Sequence, residues 1–497
     1  MSTIPFSFPL FCIILTLICS AVSSILHSKA ARVLSLCLFC TVSALSFALC
    51  AECVRLGGRM DFRMGHYPHP WGNELRFGPL EPFLAGMFSL IMFLSVLGGG
   101  QQLVRDLPKQ KQNFYYVMTD LILVSILALC YSNDLFTGFV FIEICTLSSC
   151  GILMIREIGR TTLASVRYMI FSLIGSGLFL LGVILLYGIT GHLLMPSLLE
   201  TVKNVWSSGS YRLPLLSSAA LITIGLGVKS GLFPFHYWMP DTYGAATASS
   251  SAILSGLVSK GYIFFLIKIV YRVFGVGVFY ASGIDHILFV LGLAGMIAGS
   301  VSAMREENIF RMTAFSSAAQ IGYIYMGMGI SPDLGITACL FHMLSHAVTK
   351  PMLFLSAAQL QSCTGKRTVK ELRGSARKNP LAGAVFIVGA LSMIGFPATM
   401  GFVCKYYFAK AAFAVTAVKM IPALIVLAVS TCLNAVYFGR TIISILTPDT
   451  EAGIRKIRIG DNIPFAVSGI LLSVLNLLWG LNPKLLYNLI DLGRKLL

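Results

Sequence analysis

Charge is what this chain has least of. Asp, Glu, Lys and Arg make up 11% of its 497 residues, against 56% hydrophobic ones. Soluble domains carry about 25% charged residues, and a soluble chain of this length ordinarily splits into domains with charged surfaces. The shortage therefore excludes an ordinary soluble enzyme. Short segments alternating apolar and polar residues, the mark of a membrane barrel, are also missing. What is present instead is a succession of apolar runs of about 20 residues, each long enough to cross a bilayer. Lipid offers no partner to a backbone N–H, so such runs are helices, and the chain reads as an all-α polytopic membrane protein. No basic leader or clear small-residue cleavage motif marks the first run, Pro5 to Leu26, so it reads as a retained helix.

Acidic residues are the scarcer sign, 20 against 37 Lys and Arg, for a net charge of +17. Much of the excess falls in short loops, as membrane topology requires, so no nucleic-acid partner is expected. Thirteen cysteines raise the question of a metal. Two C-x-x-C pairs, Cys37/Cys40 and Cys50/Cys53, fall on one expected helix, about 20 Å apart at 1.5 Å per residue, too far to share a cluster. The others are scattered through apolar runs, where cysteine acts as a small hydrophobe. No metal site, Rossmann fingerprint or haem motif is legible, and no cofactor is expected in this chain.

About fourteen membrane helices are expected, near 5–26, 30–51, 82–100, 113–132, 134–155, 162–188, 213–232, 246–271, 283–303, 308–330, 333–360, 380–409, 413–440 and 463–482. Lysine and arginine concentrate in alternate loops, which puts those loops in the cytoplasm and the N-terminus outside. Loop 52–81, with His66, His69, Trp71 and Pro68, Pro70 and Pro79, reads as an ordered extracytoplasmic segment that is not helical. Two helices are interrupted by proline. One reads Val228-Lys229-Ser230-Gly231-Leu232-Phe233-Pro234, the other Met393-Ile394-Gly395-Phe396-Pro397. Proline removes a donor and clashes with the preceding turn, so both should break. They are helices 7 and 12 of the count, which suits two five-helix units, helices 4–8 and 9–13, inverted relative to each other. Paired broken helices mark a transport site. The expected division is 1–112 (helices 1–3 with loop 52–81), 113–273 and 282–440 (the two units), and 441–497 (a cytoplasmic loop and helix 14).

A charge at mid-bilayer costs about 2.5 kcal/mol or more, so each one is a functional candidate. Glu143 sits centrally in helix 5, Lys229 before the break in helix 7, and Lys260 in helix 8. His342, His346 and Lys350 recur every four residues on one face of helix 11, and Lys405 follows the break in helix 12. A carboxylate beside a lysine holds it charged, and a lysine whose partner moves away releases its proton more readily. Histidine can relay between such lysines. Lys268, Arg272, Lys410 and Lys419 lie nearer helix ends and are expected to snorkel to the headgroups. Asp120 in helix 4 reads equally as an acid on an access path or a polar filler, and Asp241 as a helix cap or a relay.

At these residues the chain resembles the antiporter-like subunits shared by respiratory complex I, energy-converting membrane-bound hydrogenases and Mrp-type cation/proton antiporters. The resemblance rests on Phe233-Pro234-Phe235-His236-Tyr237-Trp238-Met239-Pro240-Asp241, Ala314 through Tyr323, Phe341 through Pro351, and Gly395-Phe396-Pro397 with Gly401-Phe402 and Lys405. It implies the fourteen-helix inverted-repeat fold, a Glu143–Lys229 pair, a relay at Lys260, His342 and His346, and a terminal Lys405. The chain departs from the family at Thr242, Tyr243, Thr247 and Ser249 and at Asn308-Ile309-Phe310-Arg311, all on the cytoplasmic access side and away from the central row. The segment from Pro70 to Glu81 is similar to the hydrogenase and Mrp-like members more than to quinone-reducing subunits.

The resemblance implies a proton-translocating subunit in the cytoplasmic (inner) membrane. Its expected partners are further antiporter-like subunits, other membrane subunits of a hydrogenase or complex I-like assembly, its peripheral iron–sulfur subunits, and lipids. The alternative is a subunit of an Mrp-type sodium/proton antiporter.

Overall fold

The computed structural model describes residues 7–64, 67, 73–448 and 459–497. His66, His69, Trp71, Pro68 and Pro70, and the basic Arg455, Lys456 and Arg458, lie outside the described residues. The N-terminal helices are α1 (Phe8–Ile25), α2 (Ser28–Leu56) and α3 (Leu80–Asp106). Then come α4 (Lys109–Tyr131), α5 (Leu135–Met154), α6 (Gly159–Thr190), a surface helix α7 (Met195–Ser208) and the broken pair α8 (Arg212–Ser230) and α9 (Trp238–Ala245). One rod holds α10 (Ala248–Ile253) and α11 (Ser259–Ile269), with π turns at Leu254–Val258 and Val270–Phe274. A short α12 (Val276–Ala281) leads to α13 (Ile284–Arg305), α14 (Ile309–Ile330) and α15 (Leu334–Thr364). After a turn, α16 (Ser375–Lys378), come the second broken pair, α17 (Pro380–Ile394) and α18 (Met400–Phe413), then α19 (Ala417–Leu446), α20 (Ile463–Leu481) and α21 (Lys484–Lys495).

Among the described residues, 11 spans are long and apolar enough to cross a membrane. α14 and α15 are not among them although they run 22 and 31 residues. Their Ser, Thr, Gln, His and Lys side chains lower their hydropathy, yet both helices are buried along almost their whole length. Their polar groups face protein, which is where such groups are tolerated at membrane depth.

Both proline interruptions break the helix, and in the same manner. Gly231 (φ 85°) ends α8, and the Leu232 N–H reaches back to the Gly227 carbonyl at 2.9 Å. Gly395 (φ 90°) ends α17, and the Phe396 N–H reaches the Leu391 carbonyl at 2.9 Å. Each is a Schellman closure, which needs a left-handed residue and so selects glycine.

Close helix pairs rest on small residues, as they do where lipid supplies no hydrophobic drive. A Cβ on Gly225 would lie 2.6 Å from the Gly175 carbonyl oxygen, locking α6 to α8. A Cβ on Gly292 would lie 2.3 Å from the Met326 nitrogen, and one on Gly322 2.6 Å from the Met296 nitrogen, locking α13 to α14.

Between α2 and α3 the described residues include an antiparallel strand pair, β1 (Met60–Arg63) with β2 (Glu74–Phe77), in the register Met60–Phe77. Its flanking helices reach into the range expected as loop: α2 runs to Leu56 and α3 starts at Leu80. The strand pair, α7 and α21 go beyond what the sequence predicts. The two helices are amphipathic and too short to span, and nothing in an apolar-run reading marks them.

Gly292→Val should wedge α13 from α14, costing about 1–3 kcal/mol as overpacking does. It should lower the thermal unfolding temperature in detergent. Gly177→Ala, whose Cβ would meet nothing within 4 Å, should not lower it, since alanine is the better helix former.

Candidate functional site: a buried row of lysines and histidines

Glu143 lies midway along α5 and Lys229 in the last turn of α8, where the helix C-terminus favours a cation. The Lys229 Nζ is 3.6 Å from Glu143 Oε1 but only 2.6 Å from the Thr146 hydroxyl, and lies 5.5 Å above the Tyr262 ring. The lysine is fully enclosed, whereas a quarter of the glutamate side chain is exposed. Gly175 makes room for this lysine, since a Cβ there would sit 2.9 Å from Lys229 Cγ.

Lys260 opens α11 just after a π turn. A π turn leaves carbonyls outside the i→i+4 ladder, and the Lys260 Nζ donates to one of them, Ser255, and to the Ser259 hydroxyl at 3.1 Å. Ser255 in turn meets Ser317 of α14, hydroxyl to hydroxyl, at 2.9 Å. Ser317 donates to the Thr313 carbonyl at 3.0 Å, which also accepts from the Lys350 Nζ at 3.0 Å. Lys350 further donates to the Ser316 hydroxyl. Lys260 and Lys350 thus approach each other across Ser255 and the Ser317 and Thr313 of α14, with two hydroxyls in contact between two accepting carbonyls.

His342 and His346 follow on α15, ring centroids 6.3 Å apart, and among the described residues no hydrogen-bond partner meets their ring nitrogens. His342 lies 5.5 Å from the Tyr323 ring, and the same ring lies 5.9 Å from the Lys405 Nζ. Lys405 donates to the Ile394 carbonyl at 2.5 Å, freed where α17 breaks, and its stem runs over Gly395. The neighbouring Met393 carbonyl accepts from Asn434 at 3.3 Å. Asn476 of α20 ties Ser392 to Thr349 at 3.1 and 2.9 Å.

The structure therefore brings Glu143 to Lys229, Lys260 to Lys350, and His342 to His346 and, through Tyr323, Lys405. Sequence reading missed the groups that link them: Thr146, Tyr262, Ser255, Thr313, Ser317, Tyr323 and Asn434. All are ordinary polar residues on helices; Ser317 and Tyr323 fall within the stretch that carries the resemblance, and the others are marked only by membership in runs otherwise apolar.

Three expectations change. Lys268 and Arg272 do not snorkel. Lys268 is buried and donates to the Leu129, Cys130 and Ser132 carbonyls at the end of α4. Arg272 is buried and paired with Glu81. Lys419 pairs with Asp285 at 2.6 Å, whereas Lys410 is exposed. Asp241 is held by Arg167 and, at 2.5 Å, Arg311, which is a structural clamp. Asp120 lies apart from the row, accepting from Ser23 at 3.2 Å and Ser35 at 3.0 Å. Two of the departures from the family pattern are local caps: Thr247 caps α10 and Asn308 caps α14. Cys37 and Cys40 are exposed, Cys50 and Cys53 buried, all as free thiols. Among the described residues no three His, Cys, Asp or Glu side chains gather as a metal site would need.

A multi-pass helical protein with two broken helices and a row of lysines and histidines along its interior is an antiporter-like membrane subunit. Residues 132–433 match the family described as NADH:quinone oxidoreductase/Mrp antiporter, TM, and the chain belongs to that family. It is 34% identical over 395 residues to NADH-quinone oxidoreductase subunit N of Desulforudis audaxviator (strain MP104C), covering 79% of this chain and 76% of that one. It is 26% identical over 352 residues to a Na(+)/H(+) antiporter subunit of Alkalihalophilus pseudofirmus, covering 70% and 69%. Its fold matches a chain of the membrane-bound sulfane sulfur reductase, an archaeal respiratory membrane complex, with a TM-score of 0.87 at 23% identity over 99% of this chain and 97% of the other.

Glu81→Ala would strand Arg272 in the interior. Loss of one partner of a buried pair costs about 3–5 kcal/mol, so thermal unfolding of the purified protein should shift well below wild type. Lys410→Ala, at an exposed position, should not shift it.

Proposed function

We propose that this chain carries protons across the cytoplasmic membrane along Glu143, Lys229, Lys260, Lys350, His346, His342 and Lys405. In this reading it is one subunit of a redox-driven pump, an energy-converting hydrogenase or a related complex I-like oxidoreductase. The observation that carries the reading is the imbalance of the row: four lysines and two histidines share a single carboxylate, Glu143. An apolar interior disfavours the three ammonium groups that have no carboxylate beside them, and a row of this composition suits the passing of protons from site to site. The Glu143–Lys229 pair suits the role of the movable element. Its ammonium already sits closer to Thr146 than to the carboxylate, so a small rotation of either side chain opens or closes the ion pair.

In the same reading, the helices assemble into fourteen spans with the N-terminus outside, and helices 4–8 and 9–13 form inverted units. This chain would hold no redox centre or cofactor. Energy would reach Glu143 laterally from neighbouring membrane subunits, themselves coupled to peripheral iron–sulfur subunits. A second reading, a subunit of an Mrp-type sodium/proton antiporter, is favoured by the likeness to the Alkalihalophilus antiporter chain. There the same row would run on an existing ion gradient.

Two measurements test this. Lys229→Ala should lower proton translocation by the reconstituted complex at least tenfold while the complex still assembles; undiminished translocation would refute the role given to the pair. Mass spectrometry of the complex purified in mild detergent should find iron–sulfur subunits. Finding only small membrane subunits, with sodium-dependent proton flux, would select the antiporter.

A further inference from the structure

A cavity of about 550 Å³ opens at one rim of the molecule, outside the lysine row. It lies where α6 and α14 begin and where α9 ends. Five guanidinium groups line it, those of Arg156, Arg160, Arg167, Arg311 and Arg367, and one carboxylate, Asp241. Asp241 is already spent between Arg167 and Arg311. Glu306 also holds Arg311, at 2.8 Å, and Asp106 stands 3.8 Å from Arg156. Even with these two counted, three carboxylates face five guanidinium groups.

The excess is concentrated on three of the arginines. Arg160 is exposed and pairs with no carboxylate among the described residues. Arg367 donates only to the Gly244 carbonyl at 3.1 Å, its guanidinium 5.3 Å from the Phe310 ring. Arg156 donates to the Ala245 carbonyl at 3.2 Å and keeps a buried Nε with no partner. A second cavity, of about 200 Å³, adjoins the first through Arg156 and Arg367 and adds Arg105. Clustered, incompletely neutralised guanidiniums recognise the oxygens of a phosphate.

The surroundings select the source of that phosphate. Ile158 and Leu163 line the cavity and are exposed, and α6 continues from them with exposed Val166, Ile170, Leu173 and Ile174. A cationic pocket at the rim of a membrane protein, continuous with an apolar stripe running into the membrane, matches an anionic lipid whose head enters the pocket and whose chains lie along the helix. A free phosphate would have no use for the stripe. We propose that this cavity binds the headgroup of an anionic phospholipid of the phosphatidylglycerol type, with Arg156, Arg160 and Arg367 holding the phosphodiester. The bound lipid joins the start of α6 to the α9 end, the start of α14 and the loop after α15. The proposal is independent of which ion the lysine row carries.

The test uses the intact complex, exchanged into nanodiscs of mixed phosphatidylglycerol and phosphatidylcholine, released into mild detergent and weighed by native mass spectrometry. Wild type should retain phosphatidylglycerol in clear preference to phosphatidylcholine. The double variant Arg156→Gln/Arg160→Gln should lose that retention by about tenfold or more, since each basic group near an anionic lipid contributes roughly a fivefold factor. Arg160→Lys should keep most of it. Lys29→Gln/Lys109→Gln, at a separate basic surface pocket, should retain the lipid as wild type does. Should the double variant not assemble, Arg160→Glu at its exposed position is read in its place. Equal retention by wild type and the arginine variant would overturn the proposal. So would equal retention of the two lipids, or displacement of the lipid by millimolar inorganic phosphate, which would make the pocket a free-anion site.

Discussion

An ammonium group in an apolar interior must be surrounded by oxygen, and this fold supplies part of that oxygen where its helices are interrupted or end. A regular helix keeps its carbonyls for itself. Here the π turn before α11 presents the Ser255 carbonyl to Lys260, and the break after α17 presents the Ile394 carbonyl to Lys405. The end of α4 presents three carbonyls to Lys268. Backbone irregularity and buried lysine come together at each of these places, and neither would be tolerable alone at membrane depth. The glycines follow from the same constraint. Gly231 and Gly395 close the broken ends, and Gly175 and Gly395 leave room for the stems of Lys229 and Lys405.

α14 is the element on which the row is assembled. Its Thr313, Ser316 and Ser317 connect Lys260 to Lys350, its Tyr323 stands between His342 and Lys405, and its Tyr325 meets Ser230 at the first break at 2.7 Å. Close glycine packing against α13 holds it rigid. In the proposed reading these hydroxyls lie along the route for protons, whereas a static charge network would show carboxylates matched to cations. Where the molecule needs static charge, it uses such matching: Arg272 with Glu81, Lys419 with Asp285, and Asp241 between two arginines. Apart from Glu143 with Lys229, the matched pairs lie off the row and toward the helix ends.

Much of this was legible in the residues. Apolar runs located the helices, the Gly-Phe-Pro and Gly-Leu-Phe-Pro sequences located the breaks, and isolated charges in apolar runs picked out Glu143, Lys229, Lys260, Lys350 and Lys405. The four-residue spacing put His342, His346 and Lys350 on one face. What could not be read was how remote segments meet. Lys260 reaches Lys350 through residues of a third helix, and nothing local in Ser317 distinguishes it from any other serine. Position along a helix also misled for Lys268 and Arg272, because nearness to a helix end suggests escape to water, while α3 and the end of α4 close over them. The short amphipathic helices α7 and α21 escaped because their signal is a moment, not a run of apolar residues.

The central claim is that the row is one path, so that a block at its middle stops transport as surely as a block at its ion pair. Lys350 is the middle, fully buried and bonded only to Thr313 and Ser316. The decisive measurement is proton flux by the reconstituted complex carrying Lys350→Met, a substitution that keeps the volume and removes the exchangeable proton. The account predicts that the complex assembles with all its subunits and that flux falls at least tenfold. Wild-type flux from an assembled Lys350→Met complex would contradict it.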